Sequence, residues 1–321
     1  MKRAQTLPGR VRGVRAFAPA SIGNFIAGFD LLGAAIAPLE GPPLGDQVEA
    51  ALAARDAFTV SGPYAHRLPP RPRDNLALKA RDAFRQAWGR SLPPLALHLH
   101  KDLPVGSGLG SSSTSVVAAL VALDALLEAG LGEDALLRAA GSVESRASGG
   151  WHLDNVAPCL LGGLRLVDPA GRARALPWPE DLLFALASPD LELTTAAARR
   201  ALPAKVPLAL ATAHAQNLAA LVLALHTGDG DLRRACLRDL LAEPHRAALV
   251  PGFRAVQAAA LGQGAEGCSL SGAGPAIVAV ADRDRAAAVG AAMGAAWERE
   301  GIPCRVRVCR LEARGARIME G

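Results

Sequence analysis

The residues between Pro104 and Ser113 have the composition of a loop that binds an anion. Gly106, Gly108 and Gly110 alternate with other residues there, and glycine permits both positive φ and close approach of the backbone to a ligand. The loop follows a predicted strand and precedes a predicted helix, whose unpaired N–H groups attract phosphate. It matches neither GxxxxGKS/T, because no lysine follows, nor GxGxxG, because the third glycine comes one residue early. Alone, the pattern is equally typical of a structural turn that caps a helix.

A second group of polar residues lies at the end of the helix predicted over 134–145. Glu144 is near the last turn of that helix, and His152, Asp154 and Asn155 lie on the next predicted loop. Proteins hold Mg²⁺ with one or two carboxylates and complete its shell with phosphate oxygens and water. Glu144 is therefore a candidate magnesium ligand. The alternative is that it forms a surface ion pair with a neighbouring arginine and that Asp154 caps a turn.

Two further glycine-containing segments are candidates for ligand contact. Asn24 and Asp30 lie in the otherwise apolar segment 18–30, and a polar side chain that is buried there needs a hydrogen-bond partner. They are suited to the amine and hydroxyl of a small polar ligand, or to hydrogen bonds within their own turn. The other segment, Ser271–Pro275, is either a tight β-turn or a second backbone surface that faces a ligand.

The composition limits the class of protein. Half of the 321 residues are apolar, which excludes an intrinsically disordered chain. The net charge is +5, but 31 of the 35 basic residues are arginines scattered among 30 acidic residues, so no nucleic-acid partner is expected. A modest positive field suits an anionic small substrate instead.

Other features predict where the protein works. No uninterrupted apolar run approaches the ~20 residues that a membrane span needs, so no membrane partner is expected. Residues 1–13 are basic and no apolar stretch follows them, which does not fit a secretory signal. The five scattered cysteines form no CxxC pair and no zinc spacing, as in proteins of a reducing compartment. We therefore expect a cytoplasmic protein.

Helices and strands alternate irregularly along the chain, and several predicted strands pair as hairpins. This pattern predicts an α+β fold of sandwich type rather than a doubly wound parallel sheet. Turn residues and a loss of periodicity over 169–179 predict a domain junction. The predicted domains are residues 1–170 and residues 171–321.

Taken together and in this order, these segments resemble the GHMP kinases, the superfamily of galactokinases, homoserine kinases, mevalonate kinases and phosphomevalonate kinases. PxxxGLGSS at 104–112 is similar to the superfamily's ATP-binding motif, and SGxGP at 271–275 to its third motif. Four segments resemble the homoserine kinases in particular: APASIGNFIAGFDLLG, HLDNVAPCLLGG, TTAAARRALP and AEPHRAALVPGF. The resemblance runs from about Val14 to the C-terminus.

The resemblance implies a fold and a reaction. The N-terminal domain is expected to be ribosomal-protein-S5-domain-2-like and the C-terminal domain ferredoxin-like. The implied reaction is Mg²⁺-dependent transfer of a phosphoryl group from ATP to the side-chain hydroxyl of L-homoserine, in threonine biosynthesis, by a homodimer. The alternatives are a kinase of another small alcohol and a non-catalytic ligand-binding relative. The complete loop and Glu144 argue against the second alternative.

The resemblance also implies roles for individual residues. The ATP phosphates are assigned to Pro104, Val105, Gly106, Ser107, Gly108, Leu109, Gly110, Ser111, Ser112 and Ser113, and magnesium to Ser112 and Glu144. L-Homoserine is assigned to Asn24, Asp30, His152, Arg199 and Arg246, with both arginines on its carboxylate. Arg200 adjoins Arg199 and gives an alternative register. Asn155, Thr195 and Asp154 are assigned to the reacting hydroxyl, and a mechanism without a side-chain base is favoured over one with Asp154 as base.

Overall fold

Alternation of apolar and polar residues forms the strands of the protein, and apolar residues spaced three or four apart form its helices. The computed structural model describes residues 13–148 and 150–320, so the interpretation of the basic N-terminal segment falls almost entirely outside the described residues. The strands are β1 (Val14–Pro19), β2 (Ser21–Gly23), β3 (Leu32–Pro38), β4 (Gly45–Leu52), β5 (Ala57–Ser61), β6 (Leu95–His100), β7 (Leu164–Val167), β8 (Ala173–Leu176), β9 (Leu182–Pro189), β10 (Gly267–Leu270), β11 (Ile277–Asp282), β12 (Cys304–Leu311) and β13 (Arg317–Ile318). The helices are α1 (Leu76–Trp88), α2 (Ser111–Leu126), α3 (Glu133–Ser148), α4 (Val156–Leu161), α5 (Thr195–Arg200), α6 (Leu208–Thr227), α7 (Gly230–Cys236), α8 (Glu243–Arg246), α9 (Phe253–Gly262) and α10 (Arg283–Arg299).

A five-stranded sheet has the order β13-β1-β4-β6-β5. Its strand pairs are antiparallel except for the parallel pair of β5 and β6. Along β6 the leucines at 95, 97 and 99 are buried, whereas His98 and His100 lie on the other face, as the two-residue period of a strand requires. Helices α1 to α4 cover the buried face, and α2 is buried along most of its length. The start of α2 is thereby fixed against the sheet.

An eight-stranded antiparallel sheet has the order β10-β11-β9-β12-β3-β7-β8, with β2 paired to β3. Strand β9 is buried on both faces: Leu183 and Ala185 pack with α9 and α10, and Phe184 and Leu186 pack with residues of α6. The predicted α+β class is confirmed. The sheet contains strands from both sides of residue 170, so the predicted boundary cuts a continuous sheet and stays a prediction.

One predicted helix is shorter in the structure than expected, and one edge strand was not predicted. The helix expected over 231–241 ends at Cys236, because the carboxylate of Asp239 accepts the N–H groups of residues 241–243 at 2.8–3.0 Å and starts α8 instead. Strand β5 was not predicted. It is an edge strand with mostly exposed side chains, so its sequence carries little of the alternation that identifies a strand.

Helix α6 bears on the expectation about membranes. Among the described residues it is the one helix that is long and apolar enough to cross a membrane by length and composition, and 17% of its most apolar stretch is buried. The sequence argument considered uninterrupted apolar runs, and uncharged polar residues such as His214 and Asn217 interrupt α6. One such helix is weak evidence for a span, and the absence of a membrane partner stays a prediction.

Candidate active site

The glycine loop between β6 and α2 has a backbone that side chains would disturb. Gly106, Gly108 and Gly110 have φ of 70°, 80° and 66°, which residues with a Cβ rarely adopt. A Cβ on Gly108 would lie 2.5 Å from the carbonyl oxygen of Ser271. Gly110 is the N-cap of α2 and has no side chain that could cap the first N–H groups of the helix. These N–H groups are available to an anion.

The second glycine turn, Ser271–Pro275, packs directly on this loop. Ser271 Oγ donates to the carbonyl oxygen of Gly108 (2.7 Å), and Ala276 N–H donates to the carbonyl oxygen of Ser107 (3.1 Å). Ser107 Oγ is itself buried and has no hydrogen-bond partner among the described residues. A buried hydroxyl without a partner, beside uncapped N–H groups, fits a loop that binds phosphate oxygens.

A buried ion pair that the sequence analysis missed supports the start of α2. Lys101 and Asp46 are almost completely buried, and Lys101 Nζ donates to Asp46 Oδ2 and to the carbonyl oxygen of Ser111. Asp46 also accepts the N–H of Leu103 (3.1 Å) and the hydroxyl of Thr114 (2.6 Å). The pair therefore joins β4, the glycine loop and α2. The available signal was that Lys101 is one of only four lysines in an arginine-rich chain.

Glu144, on α3, reaches the first turn of α2. Ser112 Oγ donates to its Oε2 (3.1 Å) and Ser113 Oγ to its Oε1 (3.4 Å). Burial raises the pKa of Glu144 to about 7, against the effect of these hydrogen bonds. No group of three or more His, Cys, Asp or Glu residues in the described chain could hold a metal ion. The pair of Glu144 and Ser112 fits Mg²⁺ that takes its other ligands from phosphate and water.

The segment from Asn24 to Asp30 has an unusual backbone. Four of its non-glycine residues have positive φ: Asn24 (61°), Phe25 (35°), Ile26 (60°) and Asp30 (60°). Asn24 holds this conformation, because its N–H donates to Asp154 Oδ2 (2.9 Å), its Nδ2 to the carbonyl oxygen of Gly272 (2.8 Å), and its Oδ1 accepts the N–H of Asp30 (3.0 Å). Each residue in such a conformation costs on the order of 1–3 kcal/mol, and strained residues of this kind cluster at functional sites. Asn24 thus shapes the segment, and its direct contact with a substrate stays a prediction.

Asp30 and Arg199 form a two-point ion pair at the cavity. Arg199 Nη1 donates to Asp30 Oδ2 (2.7 Å) and Nη2 donates to Oδ1. His152 Nδ1 lies 3.3 Å from the same carboxylate. Burial lowers the pKa of His152, although Asp30 opposes the shift. If Arg199 binds a substrate carboxylate as predicted, its guanidinium group would therefore contact both that carboxylate and Asp30.

Arg246, at the end of α8, approaches from another element. Only 2% of it is exposed, and it donates from Nε to the carbonyl oxygen of Ala198 (3.2 Å) and from Nη1 to that of Gly272 (3.1 Å). Burial lowers the pKa of Arg246, and the neighbouring charge of Arg199 adds to this effect. Two guanidinium groups therefore border one cavity, and Asp30 is paired to one of them.

Nearly all residues assigned from the sequence border one cavity of about 440 Å³. Asn155 does so with its Oδ1 accepting the hydroxyl of Ser21 (2.9 Å), and Thr195 does so from the start of α5. The exceptions are Pro104 and Leu109, and Leu109 packs into the core instead. Sequence reasoning missed further lining residues, for which it offered no signal: Leu68, Pro69, Asp74, Asn75, Leu76 and Glu192.

The buried carboxylate of Asp154 predicts a pH dependence of stability. Burial raises its pKa to about 6 from an ordinary 3.8, with Asp30 adding to the shift. Between pH 4 and 6 the folded protein therefore binds more protons at this site than the unfolded chain, so the contribution of Asp154 to stability falls as pH rises. Asp154→Asn has no titrating carboxylate at this position, so its stability does not include this fall with rising pH. We expect its free energy of unfolding, relative to wild type, to rise from pH 4 to 6 and then level off.

Denaturant unfolding between pH 4 and 8 measures this difference. Asp168→Asn is the matched control, because backbone N–H of Arg172 and the side chain of Arg174 lower the pKa of Asp168 to about 2. Asp168 thus contributes stability that is lost as pH falls below about 5, so its variant should show a slope of the opposite sign near pH 4 and none between pH 5 and 6. A flat profile for Asp154→Asn would contradict the assignment of a raised pKa.

Comparison with known proteins identifies the family. Family models match the chain at residues 75–163 (GHMP kinases N terminal domain) and 220–299 (GHMP kinases C terminal). The crystal structure of homoserine kinase from Cytophaga hutchinsonii is similar with a TM-score of 0.88 and 33% identity, covering 98% of this chain and 100% of that chain. The chain belongs to the GHMP kinase family. It is therefore an ATP-dependent small-molecule kinase, and the predicted two-domain GHMP architecture is confirmed.

More distant GHMP kinases share the fold. Phosphomevalonate kinase from Streptococcus pneumoniae is 16% identical with a TM-score of 0.65, over 94% of this chain and 99% of that chain. L. major mevalonate kinase, in complex with R-mevalonate, is 17% identical with a TM-score of 0.64, over 93% and 96%. Because the fold accommodates different alcohols, the substrate of this GHMP kinase must be argued from its cavity.

Proposed function

We propose that this GHMP kinase phosphorylates the side-chain hydroxyl of L-homoserine, with ATP as donor and O-phospho-L-homoserine and ADP as products. The observation that carries the proposal is the set of charges beside the glycine loop: Arg199, Arg246 and Asp30 border the same cavity. An amino acid offers a carboxylate to the arginines and an ammonium group to the aspartate. Mevalonate offers only a carboxylate, and galactose offers neither. Similarity at 33% identity to a protein described as homoserine kinase supports the same substrate.

The glycine loop is assigned to the phosphates of ATP. The uncapped N–H groups of α2 and the unpartnered hydroxyl of Ser107 support this role. Ser112 and Glu144 are the residues that would hold Mg²⁺, which neutralises charge on the phosphate oxygens when bound. Lys101 and Asp46 keep the start of α2 in register with the loop.

The acceptor hydroxyl is assigned to Asn155 and Thr195, with Asp154 as a supporting residue. Asp154 Oδ2 accepts the N–H of Asn24, so this carboxylate is engaged in holding the substrate segment. We therefore favour transfer without a dedicated side-chain base, in which the hydroxyl proton ends on the transferred phosphoryl group. Because phosphoryl transfer has a loose transition state, positioning and charge neutralisation supply most of the acceleration.

A coupled assay of ADP release tests the substrate. Wild type should act on L-homoserine with a kcat/KM at least ~30-fold above that for L-homoserinol, which lacks the carboxylate. Arg246→Leu should raise the KM for homoserine by roughly 30-fold or more and leave the KM for ATP near wild type, because it removes a charge-assisted partner from a buried site. Serine, mevalonate and galactose complete the panel.

Arg310→Leu is the matched control, because Arg310 is an exposed arginine of β12 outside the cavity. Its KM for homoserine should equal that of wild type. Similar efficiencies of the wild type with homoserine and homoserinol would contradict the carboxylate site. Preference for mevalonate or galactose would indicate another alcohol as substrate.

The cellular setting follows from the proposed substrate. Phosphorylation of homoserine implies a role in threonine biosynthesis, and the scattered free cysteines support a cytoplasmic location. A homodimer and the absence of nucleic-acid and membrane partners stay predictions.

A further inference from the structure

Phe29 lies beneath both arginines of the cavity. The guanidinium carbon of Arg199 is 5.2 Å from the centre of its ring, and that of Arg246 is 5.4 Å from the same centre. Both distances are within the ~6 Å at which the face of an aromatic ring attracts a cation. Both arginines line the cavity, whereas Phe29 is not among the described residues that line it. Its ring therefore acts on the two guanidinium groups from behind the site.

The two arginines need such a partner because their charges are alike. Asp30 is hydrogen-bonded to Arg199, and Arg246 has backbone carbonyl groups as its partners. Arg246 is also almost completely buried, so its charge is separated from water. The negative face of an aromatic ring compensates part of this cost without neutralising either group. The ring thus leaves the positive charge of both guanidinium groups in place for a substrate carboxylate.

The backbone fixes where the ring lies. Phe29 is half-buried between Gly28 and Asp30, and Asp30 has positive φ and donates its N–H to Asn24 Oδ1. The same short segment thus presents a carboxylate to Arg199 and an aromatic ring to both arginines. A change at position 29 is therefore expected to act through the two arginines.

We propose that Phe29 is a positioning residue that determines specificity: its ring holds Arg199 and Arg246 together in the geometry that binds the carboxylate of an amino-acid substrate. This inference rests on the proposed function. It predicts that loss of the ring weakens the binding of substrates with a carboxylate and has little effect on substrates without one.

Steady-state kinetics of Phe29→Leu, with Phe29→Tyr as the variant that keeps the ring, test the proposal. Phe29→Leu should raise the KM for L-homoserine roughly tenfold, because two ring contacts are lost together. The KM for ATP should stay within about twofold, and kcat/KM for homoserinol should change by less than about threefold. Phe29→Tyr should restore the KM for homoserine to within about threefold of wild type. Trp88→Leu, which removes the ring under Arg90 away from the cavity, is the control and should leave the KM for homoserine unchanged.

Each outcome decides between distinct explanations. An unchanged KM for homoserine in Phe29→Leu, or equal losses with homoserine and homoserinol, would overturn the role of Phe29 while the proposed function stands. Absence of activity on homoserine in the wild type would overturn both. If Phe29→Leu does not fold, as judged by thermal unfolding, Phe29→Met replaces the ring with a flexible apolar side chain of similar size and is judged by the same criteria.

Discussion

Replacing Glu144 with glutamine should remove most of the kinase activity while the fold is retained. The carboxylate accepts hydrogen bonds from the hydroxyl groups of Ser112 and Ser113 at the start of α2. A neutral amide is a poor ligand for Mg²⁺, which prefers carboxylate oxygens. We expect kcat to fall by at least ~100-fold, since even changes behind a metal's direct ligands cost 10–100-fold. Because burial already raises the pKa of Glu144 to about 7, a neutral side chain should not lower the thermal unfolding midpoint at pH 8.

Glu133→Gln provides the comparison for this result. Glu133 is exposed in the first turn of the same helix, α3, and should tolerate the same change with a rate within about twofold of wild type. Both variants are measured by coupled ADP release across a magnesium titration. A near wild-type rate for Glu144→Gln at saturating magnesium would contradict the assignment of Glu144 as a magnesium ligand.

Gly108→Val should weaken ATP binding by at least ~30-fold, with a smaller effect on homoserine. Gly108 has φ of 80°, and a Cβ there would lie 2.5 Å from the carbonyl oxygen of Ser271 and 2.8 Å from that of Gly274. Valine therefore strains the backbone and forces the loop away from the Ser271–Pro275 turn. The displaced loop no longer presents its N–H groups to the phosphates. Isothermal titration with ATP measures the dissociation constant.

Gly89→Val is the control that introduces backbone strain at a positive φ without a clash of the new side chain. Gly89 also has positive φ, 70°, but among the described residues a Cβ there meets nothing within 4 Å. This variant should lose about 1–3 kcal/mol of stability from backbone strain and keep its affinity for ATP. If Gly108→Val bound ATP within twofold of wild type, the glycine loop would be a structural turn rather than a phosphate site.

The local parts of the site could be predicted from the sequence. The alternating glycines and the apolar helix after them can be recognised in one short stretch of sequence. This is because backbone freedom and the position of a helix N-terminus depend on residues that are neighbours in the chain. The same holds for most helices and strands, whose periodicity reports which face is buried. Predictions failed where local signals are weak, as at the exposed edge strand β5, or where a side chain competes with the helix, as Asp239 does after Cys236.

The partners of the charged residues could not be predicted in this way. Arg199 was expected to hold a substrate carboxylate, and the structure pairs it with Asp30, 169 residues away in sequence. Asn24 was a candidate ligand-binding residue, and the structure shows that its amide also joins the carbonyl oxygen of Gly272 and the N–H of Asp30. Such pairings depend on which segments the two sheets bring together. Because the chain contains many arginines, the sequence does not indicate which of them pairs with a given carboxylate.

The sequence by itself thus indicated a loop suited to an anion, because backbone freedom and helix N-termini depend on short distances along the chain. The kind of reaction followed from the resemblance of several segments to the GHMP kinases. Only the tertiary structure decided which groups the charged side chains contact. It buries Lys101 against Asp46 beneath α2, and it places the ring of Phe29 under two arginines that come from α5 and α8. Burial strengthens each of these interactions by removing water, and burial is a property of the folded chain rather than of any segment in it.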